Sequence, residues 1–163
     1  MSASVTTYYL EMVTPQDLRA AYSNNPELQV LQAQVPCPLF NRFLYEVVGK
    51  AWSWTDKLNW SEKQWLDYVC RSELQTWVAY LSGTPAGYFE LEKQSESVEI
   101  AYFGLLPQFI GRGIGSHLLT RAIEQAWQMQ AQRVWVHTCT LDHPNALSNY
   151  QARGFHVFKQ ETA

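Results

Sequence analysis

The segment Gly111-Arg112-Gly113-Ile114-Gly115 constrains this chain more than any other stretch. It follows a β-patterned run, Val98 to Leu106, and precedes a helical repeat of Leu118, Leu119, Ala122, Ile123, Ala126 and Trp127 that runs to about Gln130. Three glycines between a strand and a helix allow the backbone to approach a ligand without Cβ interference. A helix start offers unpaired amides and about half a positive charge of dipole. Such a loop is a seat for a diphosphate, and Arg112 adds a cation beside it. The same triplet also fits a plain tight turn. A dinucleotide fingerprint needs G-x-G-x-x-G in an early βαβ unit, and a P-loop ends in Gly-Lys-Ser/Thr; here Gly115 is followed by Ser116 and His117, so neither fits.

The rest of the chain supplies a mixed α/β pattern. Thr6 to Val13 reads as a strand, and Thr14-Pro15-Gln16-Asp17 opens a short helix ended by Pro26. Leu28 to Val35 reads as a strand or an extended connection. Pro38 to Ala51 reads as a helix with Phe40, Phe43, Leu44, Val47 and Val48 on one side; a second starts at Ser61 with Trp65, Leu66 and Val69 inward. Gln75 to Leu81, Ala86 to Glu92 and Val98 to Leu106 are strands joined by polar turns. Val134 to Thr140 is another strand, Asp142-His143-Pro144 opens a helix reaching Arg153, Gly154 caps it, and Phe155 to Lys159 is the last strand. Hairpins in the middle and crossover helices later imply a mixed sheet flanked by helices.

Composition excludes several function classes. The 163 residues suit a single domain, 1–163. Twelve basic against fifteen acidic residues leave a net charge of -3, which provides no field for nucleic acid or an anionic membrane. No apolar run approaches a membrane span, and no signal peptide is visible. Cys37, Cys70 and Cys139 form no CxxC pair, so a reducing, cytoplasmic setting without structural metal is expected. His137, Cys139, Asp142 and His143 lack a recognised ligand spacing, and a buried thiol and a satisfied histidine are the plainer reading.

Leu105 to Leu119 resembles the acetyl-CoA-binding motif of the GNAT superfamily of N-acetyltransferases. The family's Gln/Arg-x-x-Gly-x-Gly/Ala pattern falls on Ile110 to Gly115, with Ile110 departing from the polar first position. Asn145 to Phe155 resembles the family's Asn-x4-Tyr-x3-Gly-Phe segment, in the right order downstream. The resemblance is specific over about residues 97 to 158. It implies a mostly antiparallel sheet that splays at the cofactor site. It also implies acetyl-CoA as cosubstrate, with Leu105, Gly111, Arg112, Gly113, Ile114, Gly115, Ser116 and Asn145 as its binding set. Dimers are common in that family, and a homodimer is compatible with this reading.

Acetyl transfer to an amine poses three problems. An alkylammonium with a pKa of about 10.4 is neutral in only roughly one molecule in two to three thousand at neutral pH, so a base is needed. Glu99 is the first candidate, on the strand leading into the loop where the histone-acetylating branch of the superfamily carries its glutamate; Glu90 and then His137 are in reserve. The charge developing on the thioester oxygen needs a donor, which the resemblance places in the backbone around Phe103 to Leu106. The departing thiolate needs an acid, and Tyr150 matches the family's tyrosine. The acceptor is a small-molecule or peptide amine, with Tyr45, Trp52 or Trp54 flanking its ammonium. A non-catalytic CoA-binding module on the same fold is the alternative; acyl transfer to a hydroxyl is a third.

Overall fold

The computed structural model describes residues 4–163. They form seven strands, β1 (Thr6–Met12), β2 (Leu28–Gln32), β3 (Leu74–Leu81), β4 (Thr84–Gln94), β5 (Ser97–Leu105), β6 (Arg133–Cys139) and β7 (His156–Thr162). Four α-helices accompany them, α1 (Pro38–Gly49), α2 (Glu62–Val69), α3 (Ile114–Gln128) and α4 (Ala146–Ala152). The strands make one sheet in the order β2-β3-β4-β5-β6-β1-β7. All neighbours are antiparallel except β5 and β6, which α3 joins as a crossover.

Each sheet face is covered by the helices whose apolar stripes match it. On one face Leu118, Leu119, Ala122, Ile123 and Ala126 of α3 pack on Phe89, Leu91, Val98, Ile100 and Val136. These α3 side chains are fully buried, so truncating one such leucine to alanine is worth about 2–5 kcal/mol. On the other face Leu44 and Val48 of α1 meet Val78 and Tyr88. Trp65 and Val69 of α2 join Tyr45 in a second cluster there. A capping box, Ser61 with Gln64, holds the start of α2.

One irregularity shapes the centre of the sheet. Leu91 pairs with Ile100 but Glu90 pairs with Tyr102, leaving Ala101 as an extra residue in β5. Such a bulge bends its strand and raises the local twist. The parallel pairing of β5 with β6 covers Ser97, Val98 and Glu99 and then stops. The two strands therefore part immediately before the bulge, and a gap opens between their C-terminal halves. The bulge also shifts side-chain parity: Tyr102 joins Glu99 on the α1 and α2 face, while Phe103 turns to the α3 face.

Three sequence expectations need correction. The helix expected from Thr14 to Pro26 is a single 3-10 turn at Pro15–Asp17. Beyond it the backbone spends its donors on distant partners: Arg19 N–H on the Arg153 carbonyl at 2.9 Å, Ala21 N–H on Thr120 Oγ1 at 3.0 Å, Ser23 N–H on His117 Nδ1 at 3.0 Å. The inward face of α1 is Asn41, Leu44, Tyr45 and Val48, with Phe43 45% exposed, and Leu66 of α2 is likewise half exposed. Finally, α4 begins at Ala146, because Asp142 caps a preceding turn, accepting from Thr138 Oγ1 at 2.5 Å and Cys139 N–H at 3.1 Å.

Candidate active site

The gap between β5 and β6 is the mouth of a cavity of about 1070 Å³. The glycine loop forms one wall. Gly111 and Gly113 have φ of 84° and 77°, a left-handed backbone that other residues adopt at a cost. Gly113 is the N-cap of α3 and no side chain caps that helix start. A Cβ at either glycine would meet nothing within 4 Å, so the loop leaves open space in front of free helix amides. Gly111, Gly113, Gly115, Ser116, Leu105 and Ile110 all line the cavity. Two of the expected cofactor residues do not present side chains to it. Ile114 is buried beside Ala86 and Phe109, and the exposed Arg112 lays its guanidinium 5.5 Å from the Phe109 ring centre.

The start of α4 forms the adjoining wall. Asn145 lines the cavity as the α4 N-cap, with no side-chain capping bond. Asn149, one turn later, ties α4 to the glycine loop, accepting from Ser116 Oγ at 3.4 Å and donating to the Gly115 carbonyl at 3.5 Å. Sequence reasoning missed Asn149, although its i+4 spacing from Asn145 marks one helix face. It also missed Arg153, which lines the cavity and whose Nε is buried with no hydrogen-bond partner among the described residues.

Tyr150 is 6% exposed, its ring held edge-on by Phe103 and Phe155. Burial, with the Asp142 charge second, pushes its phenol far above the ordinary range, so it is protonated at neutral pH. Glu99 stands where β5 and β6 part. Its Oε1 accepts from Gln94 Nε2 at 2.9 Å, and His137 Nδ1 lies 3.3 Å from Oε2. The hydrogen bond that His137 donates to Glu99 raises the His137 pKa against the opposing effect of burial. His137 is about half exposed and thus partners the candidate base at the cavity wall instead of being a core histidine; Cys139 is partly buried and lines the same cavity. Glu90 is 1% exposed and accepts from Asn41 Nδ2 at 2.9 Å and Tyr68 Oη at 2.5 Å. The reserve base is tied into a buried network and does not line the cavity.

Backbone direction along β5 completes the wall. Leu106 N–H donates to the Ala86 carbonyl at 2.9 Å, so it is engaged with β4's side. Backbone groups alternate direction along a strand, so Phe103 and Leu105 turn theirs toward the open gap. Beyond Glu99 the cavity ends in aromatic side chains, Tyr45, Trp54, Tyr68 and Tyr102, together with Lys57. Among the described residues no group of three or more His, Cys, Asp or Glu side chains is placed to hold a metal. Nor is any described helix long and apolar enough to cross a membrane.

Residues 36–155 match the model of the Acetyltransferase (GNAT) family. No curated protein matches the chain. Among solved structures, a GCN5-related N-acetyltransferase from Sphaerobacter thermophilus is similar at a TM-score of 0.72 and 20% identity, covering 97% of this chain and 50% of that one. One from Kribbella flavida gives 0.67 and 16%, covering 93% and 54%. An aminoglycoside acetyltransferase from an uncultured soil metagenomic sample gives 0.66 and 14%, covering 80% and 90%. The chain thus spans half to three fifths of the length of the first two and of a third similar chain from Staphylococcus epidermidis. At these identities the likeness is one of fold: a seven-stranded mixed sheet, mostly antiparallel and flanked by helices.

Proposed function

This chain belongs to the GNAT family of acetyltransferases, and on that premise we propose that it moves an acetyl group from acetyl-CoA to a primary amine by direct attack. The observation carrying this reading is that one cavity, at the parting of β5 and β6, is lined by the uncapped glycine loop, Glu99 and Tyr150 together. The residues fit the cosubstrate: the free amides at the start of α3 suit a diphosphate, and Asn145 and Asn149 suit the polar arm of a pantetheine. When bound, acetyl-CoA supplies the thioester carbonyl.

The roles then follow from chemistry. Glu99 takes the proton that the attacking amine sheds as nitrogen bonds to the carbonyl carbon, with His137 able to pass it to solvent. The Phe103 and Leu105 amides face the gap where charge gathers on the carbonyl oxygen. As the carbon–sulfur bond breaks, Tyr150 meets the thiolate. A phenol held above its usual range gives up a proton reluctantly to a thiolate whose acid has a pKa of about 8.5. Its main contribution is therefore a hydrogen bond that stabilises the leaving sulfur, with full transfer completing later.

The test is a CoA-release screen across amine classes, repeated with Tyr150→Phe and Glu99→Gln. Either substitution should lower kcat by about a hundredfold or more while acetyl-CoA affinity changes little. Unchanged turnover of a verified acceptor in Tyr150→Phe or Glu99→Gln would remove that residue's role. A silent screen with acetyl-CoA binding confirmed by calorimetry would point to a CoA-binding module instead.

A further inference from the structure

The acceptor end of the cavity holds a cation belonging to the chain itself. Lys57 is only 7% exposed. Its Nζ sits 3.5 Å from the Tyr68 ring centre and 4.0 Å from that of Tyr102, with Trp60 at 4.8 Å and Trp65 at 5.8 Å. Four aromatic faces stabilise an ammonium, each by about 0.5–2 kcal/mol. Burial works the other way and lowers its pKa to about 8, still above neutral pH, so the group is charged under ordinary conditions. Among the described residues, no hydrogen bond and no ion pair engages this Nζ.

The acidic groups around it have hydrogen-bond partners of their own. Glu92 pairs with Arg71 at 3.3 Å and Glu99 with His137 and Gln94, while Glu90 is bonded to the neutral donors Asn41 and Tyr68 and its charge acts on the Lys57 ammonium through space. Asp142 accepts from Thr138, Cys139 and Trp54, and Asp56 is exposed to water. A buried ammonium facing a cavity with unused N–H donors is complemented by an anion. Tyr102, which touches it, shares the face of Glu99 across the bulge. Same-face neighbours on a strand are roughly 7 Å apart, a span that a carboxylate a few bonds from its amine can bridge.

We propose that Lys57 is the specificity-determining residue of the acceptor site: its ammonium, held by Tyr68 and Tyr102, takes a carboxylate of the acceptor. The substrate class is then amino acids, or short peptides and related amino acids with a carboxylate near the amine, in preference to polyamines and aminoglycosides. This rests on the acetyl-transfer reading above, but its test does not depend on turnover.

The experiment uses the full chain with CoA bound and lysine labelled with ¹³C, following the Lys57 Cε resonance, which the aromatic faces set apart. The probes are a panel of N-acetylated amino acids, each beside its carboxamide. The expected result is that at least one carboxylate shifts the Lys57 resonance and binds at least about tenfold more tightly than its amide, a difference of the size of one charge-assisted hydrogen bond. Lys57→Met should erase that preference, and Lys57→Arg should keep part of it; circular dichroism and CoA affinity check that both variants are folded. The proposal is overturned if amides and carboxylates bind alike, if no carboxylate moves Lys57, or if Lys57→Met keeps the preference. Those outcomes leave the transfer reading standing if polyamines or other amines without a carboxylate are acetylated, whereas carboxylate binding with no transfer to any amine sinks that reading alone.

Discussion

Gly113→Ala separates a phosphate cradle from a tight turn, because the two functions of that glycine carry different magnitudes. The residue has φ of 77°, and a Cβ there meets no protein atom within 4 Å. The substitution therefore introduces no clash in the folded chain. Its stability effect is the left-handed backbone alone, about 1–2 kcal/mol. Gly113 nevertheless lines the cavity as the N-cap of α3, so the added methyl occupies the space in front of the first helix amides. Losing one charge-assisted amide contact is worth about 1.5–3 kcal/mol, or about ten- to 150-fold in the CoA dissociation constant. Urea unfolding gives the first number and calorimetry with CoA the second. Arg112→Ala is the internal control; its guanidinium lies over Phe109, so its affinity change should be the smaller of the two. An unaltered CoA dissociation constant in Gly113→Ala, alongside the expected loss of stability, would refute the cradle and leave only a turn.

Three further outcomes follow from the packing. Gly154→Ala should destabilise by on the order of 3 kcal/mol or more in urea unfolding, since φ is 111° and the new Cβ collides with the Asp17 carbonyl oxygen; a loss no larger than that of Gly113→Ala would contradict it. Asn41→Ala should lower stability by about 1–3 kcal/mol by leaving Glu90 and Thr76 short of a buried donor, and an effect within error would show that water replaces the amide freely. Glu99 raises the His137 pKa, so the contribution of that pair is full below the unfolded value of about 6.5 and fades as pH rises through the folded one. The stability gap between wild type and Glu99→Gln should thus be wider at about pH 6 than at about pH 9, and below about 1 kcal/mol because the histidine is half exposed; a gap that grows with pH argues against the pairing.

The fold was largely legible because its elements are locally consistent. Alternation marked the strands, the Leu118 to Ala126 repeat marked α3, and Ser61 marked the start of α2, where the structure adds Gln64 as its capping partner. The segment after Thr14 misled because its cap and proline do start a turn, but three backbone donors further on are claimed by Arg153, Thr120 and His117. No local pattern encodes those partners. Phe43 was counted as core on periodicity alone; α1 instead turns Asn41 inward, where Thr76 and Glu90 satisfy it. A polar residue that pairs across three elements overrides the apolar count.

The acceptor end was illegible for a more specific reason. Tyr45, Trp52 and Trp54, expected to flank a ligand ammonium, do line the cavity, yet the cation found there is the chain's own Lys57, and it sits over other rings, those of Tyr68 and Tyr102 most closely. Plain alternation along β5 would place Tyr102 opposite Glu99, on the α3 face. The extra residue at Ala101 reverses that, and a bulge leaves no mark in the sequence beyond a small side chain. The same residue follows directly on the last pairing of β5 with β6 at Glu99. One inserted position thus coincides with the opening of the gap between β5 and β6 and also turns Tyr102 onto the Lys57 ammonium. The two ends of the proposed reaction are for that reason coupled in the backbone: removing the bulge by deleting Ala101 should lose the Tyr102–Lys57 contact and the gap together.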